Sequence, residues 1–133
     1  MNIKKEDRKN LVRYRMEQAE ETVEDVRLLI ENKRFRSAVN RIYYGMFYSL
    51  LAMGLEYKFQ TSKHTQLIGW FNKNFVHEGI IERKYGKILN KAFNRRTQGD
   101  YDIYVEFDED TVREMFEEMQ DFISTMKQHL KLN

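Results

Sequence analysis

The chain has 133 residues, 41% hydrophobic and 14% aromatic, with 23 basic against 21 acidic side chains for a net charge of +2. That length sets a single domain, and the apolar content suffices to bury a core, which argues against a disordered chain. The absence of proline leaves helices uninterrupted, the absence of cysteine excludes disulfides, zinc–thiolate sites and thiol nucleophiles, and so small a net charge does not by itself argue for nucleic acid.

Residues 1–10 are polar, and the opening MNIKKEDRKN lacks the apolar stretch of a secretory signal, so a cytoplasmic protein is expected. The first helix runs to about Asn32. Its apolar residues Val12, Met16, Ala19, Val23, Val26 and Ile30 alternate spacings of four and three, the seam of a bundle. Asn32 and the basic cluster Lys33, Arg34 and Arg36 mark a turn. The stretch Phe35 to Leu55 then organises the chain. From Ile42 to Leu55 there is no charge over 14 residues. Such a run falls short of the roughly 20 residues that span a bilayer and reads as a buried helix, so no membrane partner is expected. Ala38, Ile42, Met46, Leu50 and Met53 form one stripe, and Val39, Tyr43, Phe47 and Leu51 form another beside it. Two adjacent stripes predict a central helix touched on more than one side. Asn40, Tyr44 and Tyr48 stack along it as a polar seam, with Arg41 just off that face. Buried polar groups need partners.

Tyr57 to Ser62 is a connector, with Thr61 or Ser62 as N-cap of a third helix over about Lys63 to Val76. Leu67, Ile68, Phe71 and Phe75 give its apolar face, and His77-Glu78-Gly79 breaks it. A fourth helix spans about Ile81 to Gln98, with Ile81, Tyr85, Ile88, Leu89, Ala92 and Phe93 inward and Gly99 as the left-handed residue after its end. Tyr101, Ile103, Val105 and Phe107 alternate but have no partner strand, so this segment is expected to cross the bundle extended. Asp108 caps a fifth helix with Glu109 and Asp110 in its first turn, where the dipole favours acids. Val112, Met115, Met119, Phe122, Met126 and His129 carry its seam. The prediction is an all-α up-and-down bundle of about five helices around a buried second helix.

His64, His77 and His129 are far apart and share no metal-ligand spacing, so no metal is expected, and no glycine-rich phosphate loop is present, so no cofactor is expected. The fourth helix is basic: Arg83, Lys84, Lys87, Lys91, Arg95 and Arg96 occur there without an acid. The fifth is acidic. Two readings stay open: complementary faces of neighbouring helices, or a basic groove along a phosphate backbone with aromatic side chains nearby for stacking. The strongest local pattern is Arg96-x-x-Gly99-Asp100-Tyr101, preceded by Arg95. Its guanidinium fork suits an anion, and it suits equally an ion pair between Arg96 and Asp100.

Ser37-Ala38-Val39-Asn40-Arg41-Ile42-Tyr43-Tyr44 with Phe47, then Lys63-His64 opening the third helix, then Arg96-x-x-Gly99-Asp100-Tyr101 form an ordered set. The chain so read resembles a HEPN domain of the small stand-alone prokaryotic branch often encoded beside a minimal nucleotidyltransferase. The resemblance implies a helical homodimer, a nucleotidyltransferase partner protein that serves as antitoxin, and in many members a metal-independent endoribonuclease toxin. The usual active motif is an arginine followed after four to six residues by a histidine. Here residues 57–59, 70–72 and 122–124 contain no arginine, so that linear motif is missing before all three histidines. Three functions remain open. One is an RNA- or nucleotide-binding module using Asn40, Arg41, Tyr44, Arg95, Asp100 and Tyr101. Another is a ribonuclease with His64 as general acid and Arg96 as phosphate clamp, and the third is a structural dimerisation bundle.

Overall fold

The uncharged run folds into the described helix with the most buried residues. In the computed structural model, which describes residues 3–132, it forms most of α2 (Phe35–Glu56), and twelve of the 22 residues of that helix are buried. Both stripes sink into the core: Ala38, Ile42, Tyr43, Leu50 and Met53 are fully covered. Each large apolar side chain so buried stabilises the fold by roughly 1.5–3 kcal/mol relative to exposure. Around α2 lie α1 (Lys5–Glu31), α3 (His64–Phe71), α4 (Arg83–Tyr101) and α5 (Glu109–His129), and α2 touches all four. The fold is an all-α bundle of five α-helices, with no strand among the described residues. No described helix is long and apolar enough to cross a membrane.

Gly45 explains how three helices approach at one level. A Cβ there would collide with the Cε of Met119 on α5 and lie 3.3 Å from Thr22 Cγ2 on α1. Ser49 and Thr22, polar side chains in this core, are satisfied locally: Ser49 Oγ donates to the Met46 carbonyl at 2.6 Å, and Thr22 Oγ1 to the Gln18 carbonyl at 2.7 Å.

Several local expectations are corrected. In α1 the inward position is Thr22, while Val23 is only half-buried. Neither Thr61 nor Ser62 is the N-cap of α3. Lys63 holds that place without a side-chain bond, and Thr61 Oγ1 instead accepts from the Lys63 N–H at 3.2 Å. Beyond Phe71 the chain keeps coiling as a wider π-helical turn, Asn72–Val76, before Gly79 reverses it at φ 76°. Helix α4 does not stop at Gln98. It continues through Gly99, which is not left-handed, to Tyr101. The reason lies outside the helix. Phe107 packs against Gly99, where a Cβ would stand 3.2 Å from its ring, and the Arg36 guanidinium takes up the carbonyls at the helix end. Asp108 caps α5 as expected, accepting from the Thr111 N–H at 2.8 Å.

The charge asymmetry of α4 and α5 resolves into two sets. Lys84 pairs with Asp121 at 3.3 Å and Lys91 with Glu118 at 2.7 Å, so positions one heptad apart face the acidic helix. Arg83 and Lys87 make no ion pair among the described residues.

Candidate functional site

The polar seam of α2 finds its partners on α3 and α4. Tyr43 is buried, so its phenol oxygen needs a hydrogen bond, and it lies 2.7 Å from His64 Nδ1 at the start of α3. The His64 ring stacks on Phe47, with centroids 3.9 Å apart and planes 9° from parallel, and meets the Tyr44 ring edge-on at 5.8 Å. These contacts fix the imidazole. Burial first, and the Arg96 charge second, hold its pKa below the usual histidine value. Burial likewise drives the Tyr43 phenol well above the ordinary range, partly opposed by Arg96. Both groups are therefore neutral at pH 7. The Tyr43 hydroxyl has no other acceptor among the described residues, so it donates to Nδ1. The remaining imidazole proton then sits on Nε2.

Arg96 comes from the last turns of α4. Its Nη2 donates to Tyr44 Oη at 2.9 Å, and its guanidinium lies 5.2 Å from the Tyr44 ring centre and 5.6 Å from that of Tyr43. Arg96 Nε is 2.8 Å from Asp100 Oδ2, one turn on, yet its N–H points off the line of that oxygen. The pair is thus a charge contact rather than a full hydrogen bond. The Arg96 and Asp100 side chains are 20% and 32% exposed, but the Nε atom at the contact is itself buried. Asn40 Nδ2 reaches Asp100 Oδ1 at a long 3.4 Å. Arg41 lies 4.9 Å from the same Tyr44 ring and donates to Tyr48 Oη at 3.1 Å, with no carboxylate partner among the described residues.

The fold thus gathers Asn40, Arg41, Tyr44, His64, Arg96 and Asp100 from three helices. Two expected members stand apart. Tyr101 is 81% exposed and makes no contact with the seam among the described hydrogen bonds and ring contacts. The Arg95 charge acts on Asp108, at the start of α5. Three contributors were not among the expected site residues, although Tyr43 and Phe47 belong to the motif that carries the resemblance. Tyr43 and Phe47 read as core, although a tyrosine on so buried a helix signals a hydroxyl in search of a partner. Arg36 read as part of a basic turn. Its Nη1 in fact donates to the carbonyls of Gly99 and, at 3.3 Å, Asp102, while its Nη2 donates to that of Val105 at 2.5 Å. It thereby fixes the chain on both sides of Asp100, and nothing in the sequence distinguished it from Lys33 and Arg34.

Known proteins resemble this chain over most of its length. The HEPN domain family matches residues 12–129. A "UPF0332 protein" of Thermotoga maritima is 35% identical over 121 residues, covering 91% of this chain and 92% of the relative. A protein of Methanocaldococcus jannaschii named "Putative toxin" is 36% identical over 116 residues, covering 87% of this chain and 86% of the relative. A second protein of that organism with the same kind of name is 28% identical over 115 residues, covering 86% and 78%.

Proposed function

This chain belongs to the HEPN domain family, and we propose that it is the RNA- or nucleotide-binding half of a toxin–antitoxin pair whose other half is a nucleotidyltransferase. One observation carries the reading. Two guanidinium groups, Arg41 and Arg96, lie over the same Tyr44 ring, and among the described residues only one carboxylate, Asp100, pairs with either of them. One positive charge is left uncompensated at a half-open surface. A phosphate there accepts from one or both forks, and the Nε2–H of His64 adds a neutral donor. Asp100 is the natural competitor: it holds Arg96 until an anion displaces it. The names of the archaeal relatives support a place in a toxin–antitoxin pair. A homodimer accords with the uncovered apolar side chains Ile103 and Tyr104, at 82% and 86% exposure.

The test is affinity for a fluorescent single-stranded RNA by anisotropy, with melting temperature as control. Arg41→Ala and Arg96→Ala should each weaken binding by about tenfold, the loss expected from one charge-assisted contact of about 1.5 kcal/mol. Affinity unchanged in both would leave the seam a structural device and refute the reading.

Cleavage of that RNA is a second reading, favoured by the immobilised His64 ring beside Arg96. The general-acid role expected for His64 suits the geometry poorly. A neutral imidazole with Nδ1 already bonded to Tyr43 and a proton on Nε2 is a weak acid and a hindered base. It is better placed to hold a phosphate oxygen. His64→Ala should therefore weaken binding severalfold. If it instead abolishes cleavage while binding stays intact, His64 is catalytic.

A further inference from the structure

At the other end of α4 lies a groove that the seam does not use. It has a volume of about 770 Å³ and runs between α4 and the π-helical turn after α3. The wider turn, closed by the His77 N–H on the Asn72 carbonyl at 2.7 Å, sets Asn72, Lys73, Val76 and His77 along one wall. Arg83, Gly86, Lys87 and Asn90 form the other. Gly86 belongs to the floor: a Cβ there would stand 2.9 Å from Asn72 Oδ1 and 3.2 Å from Val76 Cγ1, so any larger residue would push the walls apart.

The chemistry of this groove is one-sided. Lys73, Arg83 and Lys87 line it, no carboxylate does, and none of the three is ion-paired among the described residues. The other lysines of α4 show that pairing was available, since Lys84 and Lys91 both found acids on α5. The floor is apolar, at Val76 and Gly86, and two side-chain amides face each other across it. Their mutual bond, Asn72 Nδ2 to Asn90 Oδ1, is stretched to 3.4 Å and easily exchanged for a ligand. Cations at the rim, amides within and an apolar floor together fit a phosphate, a base edge and a base or ribose face.

From Arg83 and Lys87 to Arg96 the axis of α4 covers roughly 14–20 Å at about 1.5 Å per residue. Exposed Arg83, Lys87, Asn90 and Asn94 follow one another at helical spacing along the outer face of α4, without an acid. We infer that this groove is a second subsite for the same ligand, and that the ligand is therefore a single-stranded oligoribonucleotide rather than a mononucleotide. One phosphate sits at the Tyr44 seam, and a nucleotide several positions away sits in the groove. The inference rests on the binding function proposed above and assigns its substrate class.

The experiment measures two affinities at 0.1 M salt. One probe is a labelled ten-nucleotide 2′-fluoro oligouridylate, which cannot be cleaved through its 2′-oxygen. The other is uridine 5′-monophosphate. The double variant Lys73→Gln/Lys87→Gln alters exposed side chains only, and its melting curve checks the fold. The ratio of oligomer to mononucleotide affinity should fall about tenfold. The salt slope for the oligomer should shrink by about 1.4, at roughly 0.7 per lost phosphate contact on a single strand. An unchanged ratio, whether both affinities hold or both fall, overturns the inference. Arg96→Gln separates the two claims. If it leaves both affinities unchanged while the lysine pair weakens the oligomer, the seam reading fails and the groove stands. If the wild-type protein binds neither probe, the proposed function fails and the subsite goes with it.

Discussion

Arg36→Ala is the most direct way to ask what holds Asp100 in place. The wild-type guanidinium donates to three carbonyls, those of Gly99, Asp102 and Val105. No acid pairs with it among the described residues, so its work is done on the backbone. Hydrogen bonds from a charged donor contribute about 1.5–3 kcal/mol each when buried. Here the side chain is largely exposed and two of the three bonds lie at the surface, where water replaces them. The buried share is the Gly99 bond with the packing of the Arg36 stem against Gly99, so a loss of about 2 kcal/mol is expected rather than the full sum. For a domain of this length that lowers the melting temperature by roughly 6–10 °C. Arg36→Lys should recover less than half of the loss, because an ammonium cannot span three carbonyls as a fork does. Amide exchange should accelerate at residues 99–107 and stay unchanged in the middle of α2. A melting temperature within about 1 °C of wild type, with unchanged exchange at those amides, would refute the claim that Arg36 fixes this segment.

Glycine substitutions should diverge in sign. Gly69→Ala places its Cβ in open space within α3 and should stabilise by about 0.5–1 kcal/mol, whereas Gly54→Ala sets a Cβ 2.6 Å from the Phe59 carbonyl oxygen and should destabilise by about 1–3 kcal/mol in chemical denaturation. The pH dependence follows from His64, whose folded pKa lies below its unfolded value of about 6.5. The unfolded chain takes up the proton first, so this contribution is complete above that value and is lost as pH falls through it. His64→Gln should flatten the stability profile between about pH 7 and the folded pKa, and an unchanged slope there counts against a buried neutral imidazole. Asp108 and Glu109 act lower. Asp108 is held ionised by the Thr111 N–H and Glu109 by Arg113, so each contributes above the usual carboxylate range and is lost below about pH 4. Asp108→Asn, which still caps, should soften that acid limb with little change at pH 7.

What the sequence made legible follows from how many residues vote for each feature. The second helix was visible because two stripes and a charge-free run agree, and no single side chain could reverse that outcome. The end of α4 was misread because one glycine was weighed alone. Gly99 permits a left-handed turn, but whether it takes one depended on Phe107 and Arg36, eight and 63 positions away along the chain. The π-helical turn after Phe71 has no periodic signature at all. It sets Val76 and Asn72 against Gly86, a contact between helices that no local pattern encodes. The same holds for charge. Six basic residues on α4 looked equivalent in sequence, and only the placement of α5 divides them into paired Lys84 and Lys91 and unpaired Arg83 and Lys87.

The seam itself was legible by accounting. Asn40, Arg41 and Tyr44 lie on a helix whose neighbours are apolar, so something had to meet their polar atoms, and the Arg96-to-Tyr101 turn was the best-equipped supplier. The structure sharpens that argument by showing how unevenly the accounts close. Tyr43 is fully satisfied by His64, a short bond between neutral partners inside stacked rings. Arg96 is not: its Nε lies against Asp100 without a proper hydrogen bond, and Asn40 reaches the same carboxylate only at 3.4 Å. A purely structural network of this size would be expected to close its strongest donor, since an unsatisfied buried guanidinium nitrogen is the most expensive member to leave open. The imperfect fit lies inside the seam at a buried nitrogen, while the rest of the Arg96 side chain and its neighbour Arg41, which has no carboxylate partner among the described residues, reach its half-exposed edge. The Tyr43–His64 half of the seam closes its hydrogen bonds, and the Arg96–Asp100 half does not.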